Sequence, residues 1–157
     1  QMKTDSKLLE INPTTHLDDK FRPHGSYEAT LIGDMVHAEV TGPLNLEALK
    51  IYSTQLKPVL SQLPRHQPIG WLTVFHLSMM MPPDGVELFA QKAADLAASG
   101  VVWAAAHVAG EDVEGRTIMS GVFASKVFGP AKIPYQLFSN RQDAIAWLEL
   151  QQSQRAN

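Results

Sequence analysis

His76 and His107 are the residues of this chain whose type and position could carry chemistry. Each stands near the carboxyl end of a stretch without a full charge, Ile69–Ser78 and Val101–Val108. Neither stretch alternates, so each reads as an interior parallel strand that is apolar on both faces. Ligands of open α/β sheets sit outside the carboxyl ends of their strands. An imidazole there can act as a general base with a carboxylate such as Glu111 or Asp112 beside it. It can also give a pocket a polar floor, or be a hydrogen-bonded histidine of the core. The core reading is favoured, because catalytic geometry needs partners that spacing does not place, and no catalytic residue is assigned.

Ser78 is the one hydroxyl at the end of the first stretch, and Met79, Met80 and Met81 follow it. Unbranched thioethers adapt to many shapes, so Met79 and Met81 can line an apolar pocket; they can equally fill the core under Pro82-Pro83. Other signatures of chemistry are missing. No two histidines stand three or four apart and there is no cysteine, so no metal site is expected. Neither the P-loop spacing nor G-x-G-x-x-G occurs, nor the G-x-S-x-G elbow, and no cofactor is expected.

Alternating strands and helices must position these residues. Tyr27, Ala29 and Leu31 alternate with Glu28 and Thr30, and Val36, Ala38 and Val40 alternate with His37, Glu39 and Thr41, on either side of Gly33-Asp34. That is a hairpin pattern. Asn45 caps a first helix with the stripe Leu46, Leu49, Ser53, Leu56, Leu60 and Leu63, and Pro58 predicts a kink or early end. A second helix opens at Asp84, with Glu87 at capping-box spacing. It buries Val86, Phe89, Ala93, Leu96 and Ala97 and stops at Gly100. A third, Glu114–Phe128, stops at Gly129-Pro130. Ile118, Met119, Val122, Phe123, Val127 and Phe128 cover more than one of its faces, and Arg116 and Lys126 are its positive charges. Tyr135–Phe138 follows Pro134 and suits a sheet edge, and Ser139 and Gln142 open the last helix. The expected fold is α/β: a single domain with a five-stranded mixed sheet, an N-terminal hairpin then parallel strands, and four helices on both faces. Residues 1–24 read as an arm or loose lead, 25–150 as the domain and 151–157 as a tail.

The composition, 45% hydrophobic and 18% charged over 157 residues, is that of one globular domain with a proper core. A net charge of −3 offers no footprint for nucleic acid. No apolar run approaches the roughly 18 residues of a membrane span, and the amino end carries no signal-peptide core. The expectation is a cytoplasmic protein, at most peripheral at the membrane.

Gly25-Ser26-Tyr27 leads into the hairpin, Gly42-Pro43-Leu44-Asn45-Leu46-Glu47 starts the first helix, and a long central strand precedes an acidic helix start. The chain then closes on Phe138-Ser139-Asn140-Arg141-Gln142-Asp143-Ala144-Ile145-Ala146-Trp147-Leu148. In this order, residues 25–150 resemble the SpoIIAA-like proteins, relatives of the STAS domain. The resemblance implies a mixed sheet with helices on both sides and a binding or regulatory role. Through the family's similarity in fold to the CRAL-TRIO carriers, it also implies a small apolar or lipid-like ligand and transient membrane contact. STAS regulators of sporulation type carry Asp-Ser-Ser-Gly where this chain has Leu77 to Gly85 without a double serine. Asp84 already puts a fixed negative charge at that helix start, so Ser78 is not expected to be a phosphosite.

These readings converge on a non-catalytic binding domain. The expected site lies at the carboxyl ends of the two central strands, walled by the helices beginning at Asp84 and near Glu114. Val86, Phe89, Ile118, Val122 and Phe123 would give the apolar lining, with Met79 and Met81. His76, Ser78 and His107 would make polar contacts, and Arg116 and Lys126 would meet an anionic head group. Two alternatives stay open: a protein-interaction or homodimer module using the apolar helix Glu114–Phe128, and a small hydrolase or isomerase using His76 or His107.

Overall fold

Gly33 adopts φ 64°, the left-handed conformation a tight turn demands. It joins β2 (Ser26–Ile32) to β3 (Met35–Thr41) as the expected antiparallel hairpin. The computed structural model describes residues 5–11 (backbone), 24–61, 63 and 67–155. β4 (Ile69–His76) lies parallel to β3, β5 (Val102–Val108) parallel to β4, and β6 (Tyr135–Phe138) parallel to β5. These five strands are the predicted mixed sheet, with β6 on the edge as Pro134 suggests. The amino-terminal arm adds to it: β1 (Asp5–Ile11) pairs antiparallel with β2 and forms a sixth strand at the far edge.

Every residue of β5 is buried. In β4 only Trp71, part-buried, and His76, exposed, escape full burial. The strand stops at His76 rather than Ser78 because Leu77 turns the chain at φ 69°.

Side chains alternate across a strand, so the sheet has two cores. On one face Tyr27, Ala29, Val36, Val40, Phe75 and Ala105 meet α1 (Leu46–Ser61), α2 (Pro83–Ser99) and the third helical segment. On the other, Met35, Leu72, Val74, Trp103 and Val108 meet Ala144 and Leu148 of the last helix, α5 (Arg141–Arg155). The Trp103 indole N–H donates to the Leu148 carbonyl at 3.1 Å. Burying Leu148 stabilises this contact by about 1.5–3 kcal/mol.

The helix ends follow local chemistry, with several departures from expectation. Asn45 caps α1 by accepting the Ala48 N–H at 3.0 Å. Pro58 does not end that helix, which continues for three residues to Ser61. α2 begins with Pro83 in its first turn, and no side-chain cap forms, so the Asp84–Glu87 capping box is absent; a proline there needs no hydrogen-bond partner and is preset for the helix. Gly100 closes α2 at φ 69° with its N–H on Ala97 and Leu96. The expected third helix begins at Arg116, as α3 (Arg116–Val122), and widens to a π-helix over Phe123–Phe128. It does not stop at Gly129: the Gly129 N–H donates to the Ala124 carbonyl, five residues back, and one further turn, α4 (Gly129–Ala131), follows. A Cβ on Gly129 would collide with that carbonyl, so glycine permits the π turn. Asn140, not Ser139, caps α5, accepting the Asp143 N–H at 2.8 Å, and the helix runs to Arg155 through most of the expected tail.

Candidate functional site

α1 and α2 lie side by side over β3, β4 and β5 and touch near their amino ends, where Leu49 packs against Gly85. They leave a cavity of about 370 Å³, at the lower end of the roughly 300–1,000 Å³ usual for small-molecule sites. Leu49, Leu56 and Leu60 line it from α1, Leu88, Phe89, Ala93 and Leu96 from α2, and Val40, Phe75 and Ala105 from the sheet. α1 links β3 to its parallel neighbour β4, and α2 links β4 to β5, so both helices run back toward the amino ends of the strands. The exposed lining residues Lys57, Ser61, Asp95 and Ser99 therefore stand over those amino ends.

Few polar groups reach the interior. The Tyr27 and Tyr52 hydroxyls pair at 2.8 Å, their rings 4.0 Å apart and tilted by 43°. Burial pushes both phenols well above their ordinary pKa, and Trp71 is a further hydrogen-bonding neighbour of Tyr27. Thr73 and His107, side by side in the β4–β5 register, are both buried and both line the cavity.

His107 is packed in aromatic rings. Phe75 and Phe123 each lie 4.8 Å from it edge-on, Tyr135 lies at 4.9 Å and Phe128 at 5.7 Å. Its Nδ1 is hydrogen-bonded to the Tyr135 hydroxyl at 2.9 Å. Burial pushes its pKa down to about 3, because a charged imidazole would lose its water in apolar surroundings. The Tyr135 phenol is pushed up by the same burial, partly offset by a hydrogen bond from Ser120. The expected carboxylate partners, Glu111 and Asp112, do not line the cavity. At neutral pH the ring is therefore neutral and held by its hydrogen bond to Tyr135.

Of the residues predicted for the site, Met81, Phe89 and His107 line this cavity. The others lie elsewhere. His76 projects from the opposite face, its Nε2 2.8 Å from Glu39. The Ser78 hydroxyl donates to the Glu114 carboxylate at 2.7 Å and accepts the Met80 N–H at 3.0 Å, clasping the end of β4 to the start of the next helix. Met79 and Val86 are buried in the core. Arg116 donates to the Ala109 carbonyl and the Ser139 hydroxyl, both at 2.8 Å, and so ties two loops together. Ile118 is 72% exposed, Val122 is part-buried and Lys126 is exposed. The opening expected between α2 and the Glu114–Phe128 helix is filled: Phe123 is fully buried, with Phe89 5.6 Å away and Phe75 6.2 Å away.

Sequence reasoning missed Tyr27, Tyr52, Trp71 and Thr73. Tyr52 falls three residues after Leu49, on the side of α1 read as core, and a phenol there was a signal that the stripe is not purely structural. Among the described residues, no group of three or more His, Cys, Asp or Glu could hold a metal ion, and no helix is long and apolar enough to cross a membrane. Comparison of the chain with family models, with curated proteins and with solved structures gives no match.

Proposed function

We propose that this chain is a non-catalytic binding protein of SpoIIAA-like type, and that it holds a small apolar molecule in the cavity between α1 and α2. One observation carries the reading: about 370 Å³ of space between two helices, walled mainly by leucine, phenylalanine and alanine side chains. Interiors are ordinarily packed as tightly as organic crystals, so space of this size under two amphipathic helices is a departure that a ligand explains. The parallel strands and the hairpin ahead of them are compatible with the family resemblance.

The test is uptake of a neutral fluorescent probe, N-phenyl-1-naphthylamine, by wild-type protein and by Ala105→Phe. Ala105 is a buried alanine on the cavity floor. A phenyl ring there should abolish uptake while leaving stability unchanged or raised by about 0.5–2 kcal/mol, as cavity-filling does. Wild-type protein that takes up no probe sinks the reading.

A homodimer or interaction module is the second reading. It rests on Leu77 (70% exposed), Met80 (39%) and Ile118 (72%). Gly115, three residues before Ile118, packs against the Met80 side chain, and the Glu114 N–H donates to the Leu77 carbonyl at 2.9 Å, so the three belong to one end of the molecule. Concentration-dependent association that Ile118→Asp removes would favour it.

A further inference from the structure

The cavity has a polar end, and its hydrogen-bonding direction is set from behind. The Tyr135 phenol stands between the Ser120 hydroxyl and His107 Nδ1. A phenol, with a pKa of about 10, donates far more readily than a neutral imidazole N–H, and an sp² ring nitrogen accepts far more readily than a phenol oxygen. The chain of donors therefore runs from Ser120 to Tyr135 to Nδ1. With the phenol as donor to Nδ1, the imidazole proton falls on Nε2, the nitrogen not bonded to Tyr135.

Thr73 stands beside His107 across the β4–β5 pair, on the same face. The two side chains are 7% and 2% exposed. Among the described residues, neither the Thr73 hydroxyl nor His107 Nε2 has a hydrogen-bond partner, yet neither atom is sealed away from the cavity. Two polar groups thus stand side by side on the sheet face of the cavity, apart from the paired Tyr27 and Tyr52 hydroxyls. A donor left unpaired there is costly, and an oxygen with two lone pairs would satisfy both.

Charge at that place is another matter. The groups around His107 are Phe75, Phe123, Phe128 and Tyr135. Of the cationic lining residues, Lys57 belongs to the later turns of α1 and Lys92 to the middle of α2, and neither is among the groups packed on His107. A carboxylate against Thr73 and His107 would be desolvated without a counter-charge.

Resting on the binding reading above, we infer that the occupant is a neutral apolar molecule bearing a carbonyl oxygen, held by the Thr73 hydroxyl and His107 Nε2–H. The class is a ketone, aldehyde or ester on a hydrocarbon body. It is not a free fatty acid.

The test uses 2-octanone, octane and octanoate as competitors of bound N-phenyl-1-naphthylamine at neutral pH, with ¹⁵N shifts of the His107 ring recorded in parallel. 2-Octanone should bind about tenfold more tightly than octane, the effect of one to two net hydrogen bonds, and octanoate more weakly than 2-octanone. Thr73→Val, which preserves shape, should cut the advantage of 2-octanone about threefold and leave octane unchanged. The ring shifts should show the proton on Nε2. Equal affinity for octane and 2-octanone, tightest binding of octanoate, or a proton on Nδ1 overturns the inference while the cavity keeps its apolar ligand. Failure of all three competitors in a protein that binds no probe removes the binding reading as well.

Discussion

His76 and His107 look alike in the sequence, since each sits near the carboxyl end of a charge-free strand and the strands are neighbours. In the folded protein they share almost nothing. His107 is 2% exposed, ringed by aromatics and bonded to a phenol. The His76 side chain is 49% exposed and meets Glu39, whose carboxylate also lies 3.6 Å from Arg141. The cause is parity. The β4–β5 register sets His107 opposite Thr73, not opposite His76. His107 thus joins Thr73 and Phe75 on the face under α1 and α2, while His76 shares the other face with Leu72 and Val74. A one-residue difference in register decides between core and solvent, and charge-free neighbours alone do not reveal it.

The largest effect expected from this contrast is on acid stability. The folded-state pKa of His107, about 3, lies below the ordinary histidine value of about 6.5. Between those values the unfolded chain binds a proton that the folded chain refuses. The stability is therefore fully present above about pH 6.5 and falls as pH drops toward 3, by about 1.4 kcal/mol per pH unit. From pH 6.5 to 4.5 the loss from this residue should reach about 2 kcal/mol, measured by urea unfolding. His107→Gln keeps a hydrogen-bonding partner for Tyr135 but cannot titrate, and should remove that part of the slope. An acid limb identical in wild type and variant would break the contrast.

The features that were legible in the sequence are those set by neighbours along the chain. Alternation around Gly33-Asp34, the charge-free runs of β4 and β5, Asn45 as a cap and Gly100 as a stop each depend on a few adjacent residues. The cavity was not legible, because a space between two helices that touch elsewhere is set by their tertiary placement, and neither stripe differs in pattern from one that packs fully. The site was expected beyond α2, where apolar residues exceed one helical face. There Met119, Phe123, Val127 and Phe128 are buried as packing, while Ile118 stays exposed. Ser78 and Arg116 looked free to bind a ligand and are taken up by Glu114, Ala109 and Ser139, partners brought near by tertiary structure alone.

A smaller effect is expected just past His76. Leu77 holds φ 69° with its side chain 70% exposed, a conformation costing a residue with a Cβ about 1–2 kcal/mol. Leu77→Gly removes that cost but adds backbone entropy to the unfolded chain. The net should be a gain of about 0.5–1 kcal/mol, read as a raised urea midpoint at unchanged m. The Leu77 carbonyl keeps its bond from the Glu114 N–H either way. A loss of stability would mean that the leucine side chain is packed against something in solution, which bears directly on the interaction surface with Met80 and Ile118.

The smallest effect belongs to His76 itself. His76→Ala should change stability by no more than about 0.5 kcal/mol at neutral pH. Its contact with Glu39 is short, 2.8 Å, but both side chains are about half exposed. Water can replace either partner there, and holding two mobile side chains together costs entropy that offsets the attraction. Glu39 also retains Arg141 nearby when His76 is gone. The backbone role is untouched, since it is the His76 carbonyl that accepts the Gly42 N–H at 3.0 Å. A double-mutant cycle with Glu39→Gln should give a coupling energy within the same half-kilocalorie. A coupling above about 1.5 kcal/mol exceeds what exposed pairs contribute and would show that this end of β4 is covered in solution. The two histidines would then be less different than their faces of the sheet imply.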